Sequence, residues 1–516
     1  MIKKANTVKL NVKPVFIALV HKYFYEGPCR FGKGDALQPG YDAIMEREMY
    51  KQFCEDVKNY MPQEVNILEP VYVERYDDWN QEDEMYEKIM EDNDRTDLYL
   101  FRTYIGRNEI VLEIAQRTKK PAAVVPTACC EVLALSAALS SRGLEFYAAR
   151  TWPELATDLK ALRLRKVLHN TNVLLSSRFN STMSFSSVDT FRSLDDVTAK
   201  LGVKFRYKNI HELLDQMSPA VEGGNPTTPG RETPDLTEED MAEVKRLADE
   251  MTRDAKEVHV DREFLEKSLI AYVTVKKNLD MADCNAFTVP CPDVCSTRRI
   301  NEQQFTFCMT HSLLNEQGIP SACEYDINAL LSMMLLTGVS YKAPYMGNCV
   351  PLPMENGKLN RDAVESSFFV HEEDLDAIEK RGGLNDLYVV EHSVPNRKMH
   401  GLDGEQADFA IRHFAYEQGF GAVLRYDFNK DVDQVITMAR FSPDVKKLFV
   451  GKGTIVGGGG YDYDNCNTAV YFKPQDQKTF YDAQKYVGNH MPLVYGDYTQ
   501  ELKRLGEILG LEVIEA

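Results

Sequence analysis

GIPSACEYDINALLSMMLLTGVSYKAPYMGNC, Gly318 to Cys349, is the stretch around which the rest of the chain can be organised. IPSAC reads as a short buried strand and INALLSMMLL as an apolar helix, so Glu324 and Asp326 stand where a strand passes into a helix. In a parallel α/β sheet that junction is the carboxyl edge beside a helix N-terminus, where ligands and catalytic groups collect. Asp326 also occupies a helix-capping position, so capping and chemistry both stay open for it. Glu324, one residue beyond an apolar strand, is expected to be functional.

Working outward, the first 165 residues alternate short apolar runs (PVFIALV at 14–20, VNILEPVYV at 65–73, DLYLFRTY at 97–104, PAAVVPT at 121–127, LEFYAA at 144–149) with helical patterns such as NEIVLEIAQRTKK. Alternation of strand and helix implies a parallel sheet covered by helices. A second unit of this type begins near Lys166 with KVLHNTNVLLSS and passes through SVDTFRSLDDVTAKLG and VKFRYK. Residues 218–235 hold four prolines and three glycines without periodicity and read as an excursion loop. Two long helical patterns follow, and the unit ends around Val350. From about Met354 the texture changes to short strand-like runs, LYVVEHSV, GAVLRYDF, QVITMARF and TAVYF, before a last helix and an apolar end, LEVIEA. The expected fold is two consecutive parallel-sheet α/β (flavodoxin-like) domains, 1–165 and 166–350, and a mainly antiparallel, barrel-like β domain, 351–516.

Composition narrows the function classes. Sixty Lys and Arg against 79 Asp and Glu give a net charge of −19, which repels phosphate backbones and anionic membrane faces. No nucleic-acid or membrane partner is expected. The apolar run PVFIALV is too short for a signal or membrane-spanning segment, so a cytoplasmic location is expected. Eleven cysteines, an odd number, argue for free thiols rather than a disulfide framework. Cys291-Pro-Asp-Val-Cys295 has the look of a zinc half-site, yet no second pair follows at finger-like spacing. Gly457–Gly460 lacks the strand-to-helix setting of a phosphate loop and reads as a turn or bulge, and the acidic run 77–95 reads as a solvated helix.

Three segments carry a family resemblance. GIPSACEYDINALL resembles the metal-binding segment of the L-fucose isomerase and L-arabinose isomerase superfamily, NHMPLVYG around His490 resembles the histidine-ligand segment of L-fucose isomerases, and LYVVEHSVP resembles a histidine-bearing strand of many relatives. The resemblance implies an aldose–ketose isomerase that uses Mn²⁺ or another divalent cation and works as a homo-oligomer, trimeric or hexameric, on a small-molecule sugar. It places Glu324 and His490 as metal ligands, with Glu324 and Asp326 as catalytic candidates. Asn348, 24 residues after Glu324, stands where the resemblance implies an aspartate ligand. An amide coordinates through its carbonyl oxygen but carries no charge and cannot act as a base.

The proton-transfer pair therefore lacks one member unless Asp326, Glu391, Asp497 or a metal-bound water serves. His392, Arg30 and Cys349 are the substrate-contact candidates, and a structural role for His392 stays open. Two further readings remain: a divergent enzyme acting on a modified, for example sulfonated, sugar, and a sugar-binding protein without catalysis.

Overall fold

A computed structural model of the chain describes residues 3–516 except 21–39, 77–81, 103–106, 179–186, 218–235, 296–299, 301–302, 357, 361–369 and 416–418. The 218–235 loop and Arg30 lie outside the described residues. The chain forms two compact units, Val8–Arg163 on the one hand and Met1–Thr7 with Leu164–Ala516 on the other. Among the described residues no helix is long and apolar enough to cross a membrane.

The smaller unit is an all-parallel sheet. Leu10–Val20 lies at its centre and pairs with Leu98–Arg102 on one edge, which continues to Ala122–Val124 and Phe146–Tyr147. On its other edge the run at 65–73 is two strands, Val65–Ile67 and Val71–Tyr76. Pro70, which has no N–H to give a ladder, stands in the break. Val12, Val15, Phe16 and Ile17 are fully buried, as a strand covered on both faces requires.

The larger unit has a four-stranded parallel sheet in the order Ser321–Ala322, Ala286–Thr288, Asn172–Ser177, Lys204–Asn209. Lys166 to His169, read from sequence as the start of a strand, instead complete the helix Trp152–His169, whose Leu155, Leu159, Leu162 and Val167 keep helical spacing.

A closed antiparallel barrel follows. Val435–Phe441, His490–Tyr495, Tyr345–Pro351, Tyr388–His392, Thr468–Pro474 and Lys447–Gly459 pair in that order, and the last returns to the first. Closure removes the exposed edges that an open sheet of this size would present. The glycine run 457–460 sits at a bulge, the register slipping between Ile455 and Gly457. Parallel sheets followed by an antiparallel barrel are thus the architecture of the chain.

The helix Ile327–Ser340 joins the two parts of this unit. It is buried all round, as its apolar sequence demands, and packs on the barrel strands His490–Tyr495 and Val435–Phe441. Asn328 fixes its placement: its amide donates to Phe441 O (2.6 Å) and accepts from Phe441 N (3.1 Å), satisfying a buried side chain and a strand end together. The N-terminus of this helix is thereby held against the end of the barrel strand Val435–Phe441, which also carries Arg440.

Candidate functional site

The site is built on the turn from Ala322 to Ile327. Glu324 and Tyr325 are consecutive non-glycine residues in the left-handed region, φ 61° and 60°. Such residues each cost on the order of 1–3 kcal/mol and persist where their surroundings over-determine them. Here the surroundings do: Tyr325 N donates to Val289 O (3.0 Å), Tyr325 OH to Ser177 Oγ (3.2 Å), and Ser187 Oγ to Glu324 O (3.1 Å). Thr190 Oγ1 accepts from Ile327 N (3.1 Å), tying the same segment to the first turn of the helix.

Asp326 is both cap and counter-ion. Its Oδ1 accepts from Ala329 N (2.9 Å), and its Oδ2 meets His490 Nδ1 (2.9 Å) and Arg440 Nη2 (2.9 Å). Burial opposes charge on this fully enclosed carboxyl, but Arg440, His490 and the helix amide outweigh it and hold the carboxyl well below the usual carboxylate range. Arg440 is equally enclosed: its Nε donates to Val487 O (2.7 Å) and its Nη1 to His490 O (2.7 Å), while Nη2, shared with Asp326, also reaches Asp189 Oδ2 (3.1 Å). With both oxygens engaged in this enclosed network, Asp326 is placed to cap the helix and hold the His490 imidazole, the positioning arrangement of a buried carboxylate.

That network dictates the state of His490. With Nδ1–H given to Asp326, Nε2 presents a lone pair; it is buried, has no hydrogen-bond partner and stands 3.6 Å from Glu324 Oε2. On the other oxygen, Glu324 Oε1 lies 3.3 Å from His392 Nε2. Burial opposes charge on His392, yet Cys466 and Glu324 beside it raise its pKa well above the ordinary value. Glu324, His392 and His490, 166 residues apart at the extremes, are thus brought together.

Asn348 joins them through the ladder, pairing directly with His490 on one side and with Glu391 on the other. Directly paired antiparallel residues share a face, so Asn348 stands between an imidazole and a carboxyl. Its Oδ1 accepts from Asn489 Nδ2 (2.6 Å). Gly347, just before it, is required by close approach: a Cβ there would lie 2.5 Å from Glu391 O.

Glu391 is the residue whose state sequence could not reveal. It is fully buried, and neither carboxyl oxygen makes a hydrogen bond of normal geometry; the donor facing it is the Asn348 amide. Burial raises its pKa to about 8, with His392 and the Asn348 amide giving only partial relief and Glu324 adding to the rise. An enclosed carboxyl poised near neutrality is suited to taking and returning a proton.

Other candidates fall away. Cys349 alternates to the strand face opposite Asn348, paired with Val390, where burial raises its thiol pKa, and it does not join the cluster. Asp497 is half-exposed and paired with Lys452 at 2.6 Å. Arg30 lies outside the described residues. Arg440 and Asp189, missed in the sequence, carry no motif; only their distant partners give them a role.

The donors fit a hard divalent cation. An orphaned buried imidazole nitrogen, an adjoining carboxylate and an amide carbonyl on a neighbouring strand offer oxygen and nitrogen ligands of the kind Mn²⁺ accepts.

Comparison with known proteins gives two kinds of result. No family model matches the chain. It is similar to sulfoquinovose isomerases of Priestia aryabhattai and Priestia megaterium, 25% identical over 249 residues that cover 46% of this chain and 45% of those proteins. It is also similar to the sulfoquinovose isomerase of Alkalicoccus urumqiensis, 30% identical over 216 residues, 42% of this chain and 41% of that protein. The chain thus matches sulfoquinovose isomerases at low identity, over less than half the length of these curated relatives.

Proposed function

We propose that the chain is a metal-dependent ketol isomerase whose substrate is a sulfonated sugar of the sulfoquinovose type. The observation that carries the reaction class is the pairing of a ready cation site, Glu324 with the orphaned His490 Nε2, and an uncommitted buried carboxyl, Glu391, across Asn348. The sulfonated substrate is supported by the names of the similar proteins.

Glu324, His490 and the Asn348 carbonyl are the residues that would hold Mn²⁺ or a like cation. When bound, the cation supplies positive charge for the sugar oxygens that turn negative as the enediol forms. Glu391 takes the proton from C2 of the aldose and returns it to C1, and the proton of the C2 hydroxyl ends on O1, relayed by His392. Glu324 orients the reacting end, and His392 donates to a sugar oxygen. Asp326 keeps the His490 tautomer fixed throughout. Glu391 takes over the proton-transfer role left vacant by the uncharged Asn348, so a complete acid/base set survives that replacement.

We also propose a homo-oligomeric, cytoplasmic enzyme. The test is conversion of sulfoquinovose to its 2-keto isomer by the purified protein with Mn²⁺, followed by NMR, against a panel of unsulfonated aldoses. Turnover of sulfoquinovose that is lost in Glu324→Gln supports the proposal. Absence of turnover on every sugar, with Mn²⁺ bound, removes it.

A further inference from the structure

One residue before Glu324 the chain enters a second cluster of quite different chemistry. Cys323 Sγ lies 3.6 Å from Cys291 Sγ, and Cys291 Sγ lies 3.6 Å from His311 Nε2. The three come from separate elements: the Cys291–Cys295 helical turn, the Cys308–Glu316 helix and the end of the Ser321–Ala322 strand. All three ligand atoms lie within 4.8 Å of one another.

We propose that Cys291, His311 and Cys323 form a site for a thiophilic divalent cation of the zinc class, separate from the Glu324 site. Bond lengths of about 2.3 Å to sulfur and 2.05 Å to nitrogen at tetrahedral angles require S···S and S···N edges of about 3.8 and 3.6 Å. The observed 3.6 Å edges meet this with shifts of a few tenths of an ångström.

The surroundings are already arranged for a ligand. His311 is fully buried, and its Nδ1 is 2.7 Å from Ser321 Oγ; with Nδ1–H donated there, Nε2 turns its lone pair to the sulfurs. Asn315, one turn along the same helix, clamps Ser321 from both sides, accepting from its N–H (2.8 Å) and donating to its carbonyl (3.1 Å). Phe287 stacks on the ring. Cys291 is only partly buried and gives the entry path. Two thiol protons leave to solvent on binding, and two thiolates cancel the charge of the cation. The site therefore adds no net charge next to Glu324, which lets both cations be held at once. Its fourth position remains for solvent, which Cys291 leaves within reach.

The test uses the full-length protein, isolated under reducing conditions and loaded with Zn²⁺, Co²⁺ or Mn²⁺ in turn. Expected are one zinc per chain in addition to manganese, and a thiolate-to-cobalt charge-transfer band. Zinc should shield Cys291 and Cys323 from alkylation at least tenfold, mapped by mass spectrometry on the unmutated protein. Cys291→Ser should lose zinc and the band while retaining manganese, and Glu324→Gln should do the reverse, so this site and the proposed isomerase site fail independently. A cobalt spectrum without sulfur charge transfer, zinc binding that leaves both thiols reactive, or a Cys291–Cys323 disulfide in protein handled without oxidant would overturn the proposal.

Discussion

Asp326 and Glu391 are both fully buried carboxyls within one residue pair of His490, and they are in opposite states. Asp326 is surrounded by an arginine, an imidazole and a helix amide; Glu391 faces only the Asn348 amide, without a hydrogen bond of normal geometry. Burial acts on both in the same sense, so what separates them is the presence of Arg440. A carboxylate saturated with donors serves to hold neighbours in place, and one left bare in a low dielectric retains the capacity to exchange a proton. In the proposed function the two divide positioning from chemistry around one histidine.

The contrast can be broken at several points. Glu391→Gln should have the largest effect on turnover, a fall in kcat of about 10² to 10⁴ with little change in KM or bound manganese. The same variant has a signature in stability. The folded pKa of Glu391, about 8, lies above its unfolded value, so the metal-free folded chain holds the proton that the unfolded chain has released. Stability from this group is present at low pH and declines between about pH 4.5 and 8, at about 1.4 kcal/mol per pH unit. Glu391→Gln should flatten that part of the denaturation profile.

Asp326→Asn should act the other way, costing about 3 kcal/mol or more of folding stability by leaving Arg440 buried without its counter-charge. The depressed pKa of Asp326 means that its contribution is fully present above the usual carboxylate range and is lost as pH falls from there toward the folded value, and chemical denaturation from about pH 5 down to about pH 2 measures this. Gly347→Ala should cost about 1–3 kcal/mol, read by thermal melting, because the added methyl meets the Glu391 carbonyl. Asn348→Asp should tighten manganese by about tenfold in a metal titration by adding one charged ligand. Without metal the same variant should lower stability, since the new carboxylate faces Glu391.

The sequence is legible wherever the signal is local. Strand and helix alternation, the apolar helix after Glu324 and the change to short strands near Met354 depend on periodicity within a few residues, and the sheets and barrel follow them. Glu324 and His490 were singled out by strand-to-helix placement and family resemblance, and the fold brings them within 3.6 Å of each other. The states of Asp326 and Glu391 were not legible, because they depend on Arg440 and Asn348, which reach them only through tertiary pairing. The cysteines make the same point. Cys291-x-x-x-Cys295 draws attention by its spacing, yet the partners Cys291 finds are 20 and 32 residues further on, supplied by a helix and a strand end. The break at Pro70 is passed over when 65–73 is read as one run, and the continuation of the Trp152–His169 helix through Lys166 is obscured by the apolar run that follows.

The most direct test of the division between the two carboxyls is exchange of the C2 proton of sulfoquinovose in D₂O, followed by NMR with manganese-loaded protein. The wild-type protein should wash deuterium into the sugar, and Glu391→Gln should slow that exchange by about 10² or more while still binding manganese and sugar. Exchange at the wild-type rate in Glu391→Gln would contradict the account and return the proton-transfer role to another group.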